Sequence, residues 1–275
     1  MKVLEAKFVQ DFINMCNEGY LKGWHERNGG NLTYRIKPEE ITSICSEFNL
    51  NGEFLEIGTE VKDLANEYFL VTGSGKFMMN VKRNPEENIC IIKVDDTGTK
   101  FQIVWGLVNG GRPTSELPTH LMNMEVIKNR TNGKYRVVYH CHATNIIALT
   151  FVLPLEEKVF TRELWQTATE CCIVFPSGVG ICKWMIPGGR EIAIETSKLV
   201  KEYDTVIWAH HGLFSVGEDF DTTFGLADTV EKSAEILVKV LSMTDKKRQS
   251  ITDKELLSLE KDFKVKLNRK FVSEE

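Results

Sequence analysis

Val137-Val138-Tyr139-His140-Cys141-His142-Ala143-Thr144-Asn145 opens the longest uncharged run of the chain, Val137 to Leu155, and its reading decides the fold. Nineteen residues are enough on paper to span a bilayer. This run, however, contains His140, His142, Thr144, Asn145, Thr150 and Pro154, which are costly or disruptive in hydrocarbon. It reads instead as a buried strand, Arg136 to His140, running into a helix from about Asn145 to Phe151. The rest of the composition agrees. The 275 residues are 42% hydrophobic and 27% charged, which rules out a disordered or fibrous chain. With 39 acidic against 34 basic side chains the net charge is −5, which argues against a nucleic-acid partner and a basic membrane-surface protein.

Outward from that run the signals alternate. Leu4, Phe8, Phe12, Met15 and Cys16 recur at helical spacing and predict an opening helix that ends near Gly19. A strand is expected from Leu32 to Ile36, then a polar insert over the core at 37–66, then a strand at Tyr68–Val71. Asn88 to Val94 and Phe101 to Leu107 flank Asp95-Asp96-Thr97-Gly98 and read as a hairpin. A helix begins at Pro113-Thr114-Ser115-Glu116, with Ser115 as its expected N-cap. Cys172–Phe175 reads as a strand, Glu191–Tyr203 as a helix, and Thr205–Trp208 and Gly212–Val216 as antiparallel strands. Helices at about 221–242 and 252–264 close the chain, the second with a capping box from Thr252 to Glu255. No repeat or linker divides the chain, so 1–275 is expected to be a single α/β domain with a largely antiparallel central sheet.

The first seven residues lack an apolar h-region, and seven cysteines without a C-x-x-C read as reduced thiols, so a cytoplasmic protein is expected.

His140 and His142 are two apart on a strand, so their side chains share a face and can reach one ion. Alone the pair is as readily two satisfied core histidines as a metal site. His211, at another strand end before Gly212, tips the reading towards metal, because three neutral imidazoles suit zinc and leave a position open. His210 is expected to take a structural hydrogen bond, and His25 and His120 to be surface or helix-face residues. Three small-residue turns have oxyanion-binding chemistry: Asn28-Gly29-Gly30-Asn31, Thr72-Gly73-Ser74-Gly75-Lys76 and Thr114-Ser115. Each alone is more often only a turn. Neither a Walker A nor a G-x-G-x-x-G motif is present.

Seven segments together resemble a known family, the class II aldolase/adducin-fold enzymes. They are Trp24 to Thr33, Val71 to Phe77, Pro113 to Pro118, His140 to Asn145, Phe160 through Glu170, Phe175 to Gly180 and His211 to Phe214. The resemblance runs from about residue 8 to 243 and implies a three-layer fold with helices flanking the sheet. It implies one zinc per subunit on His140, His142 and His211, with Glu116 as the catalytic carboxylate. The substrate phosphate would sit on Asn28, Asn31, Ser74, Gly75, Thr114 and Ser115. Glu170 would be a second carboxylate, acting in a neighbouring subunit's site of a cytoplasmic homotetramer. On sequence alone it is a solvated helix residue, although the polar-aromatic segment Thr161–Glu170 suits an interface rim. The implied reaction is cleavage of L-rhamnulose 1-phosphate to dihydroxyacetone phosphate and L-lactaldehyde. Fuculose-phosphate cleavage or ribulose-phosphate 4-epimerisation on the same fold would keep these histidines and turns. An adducin-like scaffold would be expected to have lost them.

Overall fold

The computed structural model describes residues 1–244 and 246–273. Its centre is one sheet of nine strands: β1 (Asn31–Arg35), β2 (Phe54–Glu56), β3 (Tyr68–Thr72), β4 (Ile89–Val94), β5 (Lys100–Gly106), β6 (Val137–Cys141), β7 (Gly180–Cys182), β8 (Thr205–Trp208) and β9 (Gly212–Gly217). They lie in the order β2-β5-β4-β3-β1-β6-β9-β8-β7. Only the β7–β8 pairing is parallel among the described residues.

The uncharged run forms the middle of this sheet. β6 pairs with β1 on one side and β9 on the other, so all five of its residues are buried. Alternation then sorts them. Val137, Tyr139 and Cys141 join the core on one face of the sheet, and Val138 joins the core on the other. Helices cover both faces. In chain order they are α1 (Lys7–Leu21), α2 (Pro38–Ile44), α3 (Met78–Val81), α4 (Pro85–Asn88), α5 (Leu117–Arg130), α6 (Thr144–Leu149), α7 (Glu157–Trp165), α8 (Cys171–Val174), α9 (Arg190–Leu199), α10 (Phe220–Met243) and α11 (Asp253–Phe263). Helices α5 and α9 pack against each other over the Val138 face. Helices α1, α6, α7 and α10 cover the Tyr139 face. The layers are helix, sheet, helix.

Four sequence expectations are corrected. The insert at 37–66 is partly structural: β2 extends the sheet beyond β5, and Ile44, Ile57, Val61 and Leu64 are buried. Cys172–Phe175 is not a strand but lies largely within the four-residue α8. The short apolar stretch carries no period long enough to separate the two forms. The N-cap of α5 is Glu116, with Pro118 in the first turn, and not Ser115. The segment at 161–170 is no simple rim. Phe160, Thr161, Leu164 and Trp165 form the buried stripe of α7, and Trp165 Nε1 donates to the Phe175 carbonyl at 3.2 Å. Arg162 is committed within the chain to Asp253 at 2.8 Å. The capping box at the start of α11 is present, with Thr252 N donating to Glu255 at 2.7 Å. No helix among the described residues is long and apolar enough to cross a membrane.

Candidate metal and oxyanion site

The end of β6 and the β8–β9 turn bring three imidazoles together. Ligand-capable atoms of His140, His142 and His211 lie within 4.8 Å of one another. His140 is on the strand itself, and His142 follows two residues later on the same side. His211 reaches them because the β8–β9 connection is tight. Its N–H donates to the Trp208 carbonyl at 3.0 Å, and His210 adopts a left-handed φ of 60°. That conformation is uncommon for a residue with a Cβ. His210 is held there by Thr150: its backbone N–H donates to Thr150 Oγ1 at 3.1 Å, and its Nδ1 lies 3.1 Å from the same oxygen. The structural hydrogen bond expected of His210 is thus present.

Each imidazole meets a different surrounding. His140 Nδ1 is 3.0 Å from the Leu213 carbonyl, which can only accept, so the proton is on Nδ1 and Nε2 carries the lone pair. That buried Nε2 has no hydrogen-bond partner. His142 Nδ1 donates to Glu26 Oε1 at 2.6 Å. His211 Nδ1 is buried and unpartnered. Burial, then the neighbouring imidazoles, holds His140 well below the usual histidine range. Burial and His142 bring His211 down to about 4. The rings of His140 and His211, kept neutral by burial and with partnerless nitrogens, turn together with His142 to form a donor set for a divalent transition metal. The Trp208 ring lies 4.7 Å from the His140 ring and shields that side.

The carboxylate of Glu116 is next to this cluster and is only 7% exposed. Its Oε2 accepts a hydrogen bond from Asn31 Nδ2 at 3.1 Å. Burial raises its pKa, and the Asn31 bond and His142 oppose the shift. Asn31 is the cross-strand partner of His140, which explains why carboxylate and histidines share one face.

The small-residue turns converge at the same end of the sheet. Thr114 N donates to the Thr72 carbonyl and Ser74 N to the Arg112 carbonyl, both at 2.8 Å, and Leu32 N reaches Thr72 Oγ1 at 3.2 Å. Asn28, Ser74, Gly75 and Ser115 are exposed there, whereas Thr114 is buried. The 28–31 turn needs its glycines. A Cβ on Gly29 would stand 2.8 Å from the His142 ring, and Gly30 has φ 73°. Asn31 spends its amide on Glu116, so within one chain it is a carboxylate partner first. Glu170 is not part of this assembly. It is exposed at the N-cap of α8, and no hydrogen bond or ion pair joins its side chain to Glu116 or the histidines.

Neither His25 nor His120 is a surface residue, although His120 does lie on a helix face. His25 is buried, 2.8 Å from the Tyr139 hydroxyl and 3.0 Å from the Gly29 carbonyl, and so pins the 28–31 turn. His120 is fully buried on α5, 2.9 Å from Thr33 Oγ1. Charged and polar neighbours, Glu26 to Asn28, mask the burial of His25, whereas His120 is buried because it lies beside Leu121 on the inward face of α5. The contact of Glu26 with His142 has only a weak sequence signal, an acid beside a glycine turn.

A family model described as Class II Aldolase and Adducin N-terminal domain matches residues 10–238. A rhamnulose-1-phosphate aldolase from Mannheimia succiniciproducens is 51% identical over 251 residues, covering 91% of this chain and 92% of that one. A rhamnulose-1-phosphate aldolase from Klebsiella pneumoniae is 47% identical over 263 residues, covering 96% and 95%. Among solved structures, a sugar-phosphate aldolase from Thermotoga maritima aligns with TM-score 0.75 at 27% identity, covering 88% and 97%.

Proposed function

The chain belongs to the class II aldolase and adducin N-terminal domain family, and from that premise we propose that it cleaves L-rhamnulose 1-phosphate to dihydroxyacetone phosphate and L-lactaldehyde. It is an aldehyde-lyase. The observation that carries this reading is the placement of a buried, hydrogen-bonded carboxylate, Glu116, beside three imidazoles at the sheet end where the small-residue turns meet. The similarity to rhamnulose-1-phosphate aldolases at 47–51% identity over nearly the whole chain supports this substrate over its sister sugar phosphates.

His140, His142 and His211 would hold one zinc ion per chain, and their convergence, with the partnerless buried nitrogens of His140 and His211, fits it. When bound, the ion supplies Lewis acidity to a ketose carbonyl oxygen, whose charge grows as the carbon–carbon bond breaks. The chain's own residues do the rest. Ser74, Gly75, Thr114, Ser115 and Asn28 anchor the phosphate through N–H, hydroxyl and amide donors, which fixes the ketose end. Glu116, raised in pKa by burial, exchanges the proton at the carbon next to the carbonyl. Asn31 holds the other side of that carboxylate in register with the strand. Glu170 of a second subunit would take the proton of the hydroxyl that becomes the aldehyde oxygen, in a homotetramer with shared sites. We take 1–275 as one domain, since a single sheet draws strands from Asn31 to Gly217, and place the enzyme in the cytoplasm.

The deciding experiment assays rhamnulose 1-phosphate, fuculose 1-phosphate and fructose 1,6-bisphosphate side by side, with elemental analysis of the purified protein. The expected result is preferred cleavage of the first, with about one zinc per chain. Preference for another sugar overturns the substrate. Activity that survives chelation in protein free of divalent transition metals overturns the metal.

A further inference from the structure

Glu231 is a buried carboxylate, 7% exposed, in the middle of α10, and the chemistry described above makes no use of it. Its hydrogen bonds all run to one short segment. Oε1 accepts from Asn145 N at 2.8 Å and from Asn145 Nδ2 at 2.8 Å, and Oε2 accepts from Ile146 N at 2.9 Å. These are donors at the start of α6, which begins two residues after His142.

That helix cannot hold its own start. It has six residues, and its N-cap is Ala143, which has no side-chain oxygen. Isolated helices of this length are not stable in water, and their first N–H groups need acceptors from elsewhere. Glu231 reaches across 86 positions of sequence to supply both acceptors, and a carboxylate at a helix start is also favoured by the helix dipole. On the other side, His142 N donates to the Trp24 carbonyl at 3.0 Å. The path of the chain through His140-Cys141-His142 is thereby clamped at both ends: by β1 and β9 before, and by Glu231 after.

We propose that Glu231 is a positioning residue that sets the spacing of His142 relative to His140 and His211, and so sets the affinity of the three-histidine site. The proposal rests on the reading of those histidines as metal ligands. Glu231 meets no substrate; it acts through Asn145 and the start of α6. Partners that orient metal ligands typically control affinity by about 10–100-fold. Glu231→Gln keeps one acceptor oxygen but turns the other into an NH2 that faces an N–H donor. Glu231→Ala removes both acceptors.

The test uses the full chain stripped of metal and titrated with cobalt(II), read by its visible absorption and by competition with a chromophoric chelator. Leu237→Ala, fully buried six positions further along the same helix and outside these hydrogen bonds, is the control for general loss of stability. The expected result is a graded loss of cobalt affinity, about tenfold for Glu231→Gln and towards 100-fold for Glu231→Ala, with altered ligand-field bands. Leu237→Ala should lower the melting temperature yet leave affinity and spectrum unchanged. Hydrogen exchange in the metal-free protein should also quicken at the Asn145 and Ile146 amides in both Glu231 variants. If the wild type binds cobalt and Glu231→Gln matches it in affinity and spectrum, this proposal is overturned and the metal reading stands. If Leu237→Ala weakens cobalt as much as Glu231→Gln does, Glu231 is only structural. A wild-type chain that takes up no cobalt overturns both readings.

Discussion

Glu116 and Glu170 stand at equivalent local positions, each the N-cap of a helix and neither capping it with its side chain. Their surroundings differ in every other respect. Glu116 is packed at the end of the sheet, tethered by Asn31 and held in protonation balance by burial against that bond and His142. Glu170 faces solvent, with no tether to the site in its own chain. The first is preorganised by one chain. The second needs another chain to acquire a role. A helix-start glutamate has a modest generic value to the helix dipole, so position in the helix cannot tell them apart; the neighbours across the sheet do.

The comparison breaks most visibly at Glu116. Glu116→Gln is expected to lower turnover by about 10²-fold or more, within the 3–5 kcal/mol range of acid–base help, while metal content is kept. The amide still accepts from Asn31 but cannot take a carbon-bound proton. Near wild-type turnover with intact metal would reduce Glu116 to a helix-start residue.

Glu170→Gln tests the other half, with a smaller expected loss that depends on assembly. The two variants co-refolded should recover activity in mixed oligomers, because some sites then draw Glu116 from one chain and Glu170 from another. Mixed oligomers confirmed by mass but no more active than their parents would remove Glu170 from the shared site.

A third variant asks whether the tethering seen at Glu116 extends to the proposed metal ligands. Glu26→Ala removes the acceptor of His142 Nδ1, and about tenfold weaker metal binding is expected by equilibrium dialysis. Glu26 is exposed, so an effect at the low end of the range is the right expectation.

The same contrast explains what was legible in the sequence. The strand-end pair at 140 and 142 could be placed on one face from strand period alone, and His211 from its strand-then-glycine setting. The convergence of the turns needed the sheet order, since residues 31, 73 and 113 meet only because β1 lies beside β3 and Gly73 bridges Pro113. Buried His25, His120 and Glu231 were not legible. Each owes its burial to contacts over long sequence separations, 114, 87 and 86 positions, which no local pattern encodes. The α8 segment reads as a strand in the sequence because four apolar residues carry no decisive period.

The smallest effect separates the two glutamates by stability. Burial raises the Glu116 pKa above the ordinary glutamate value of 4.5, so the folded chain holds that proton at pH values where the unfolded chain has lost it. Stability falls with rising pH wherever the unfolded state binds fewer protons. The contribution from Glu116 is therefore full below 4.5, declines as pH climbs through the raised folded pKa, and is absent above it. Glu116→Gln lacks this loss, since its amide stays neutral at all these pH values. The metal-free variant should then match the wild type near pH 4 and exceed it in stability at pH 7. Glu170→Gln, at an exposed position, should stay within about 0.5 kcal/mol of the wild type at both pH values. Urea unfolding of the three metal-free proteins at pH 4 and pH 7 gives the comparison directly. A Glu116→Gln chain that is less stable than the wild type at pH 7 would mean that Asn31 and His142 favour the carboxylate more than burial opposes it. The carboxylate would then sit in a relaxed site, and the distinction from Glu170 would rest on catalysis alone.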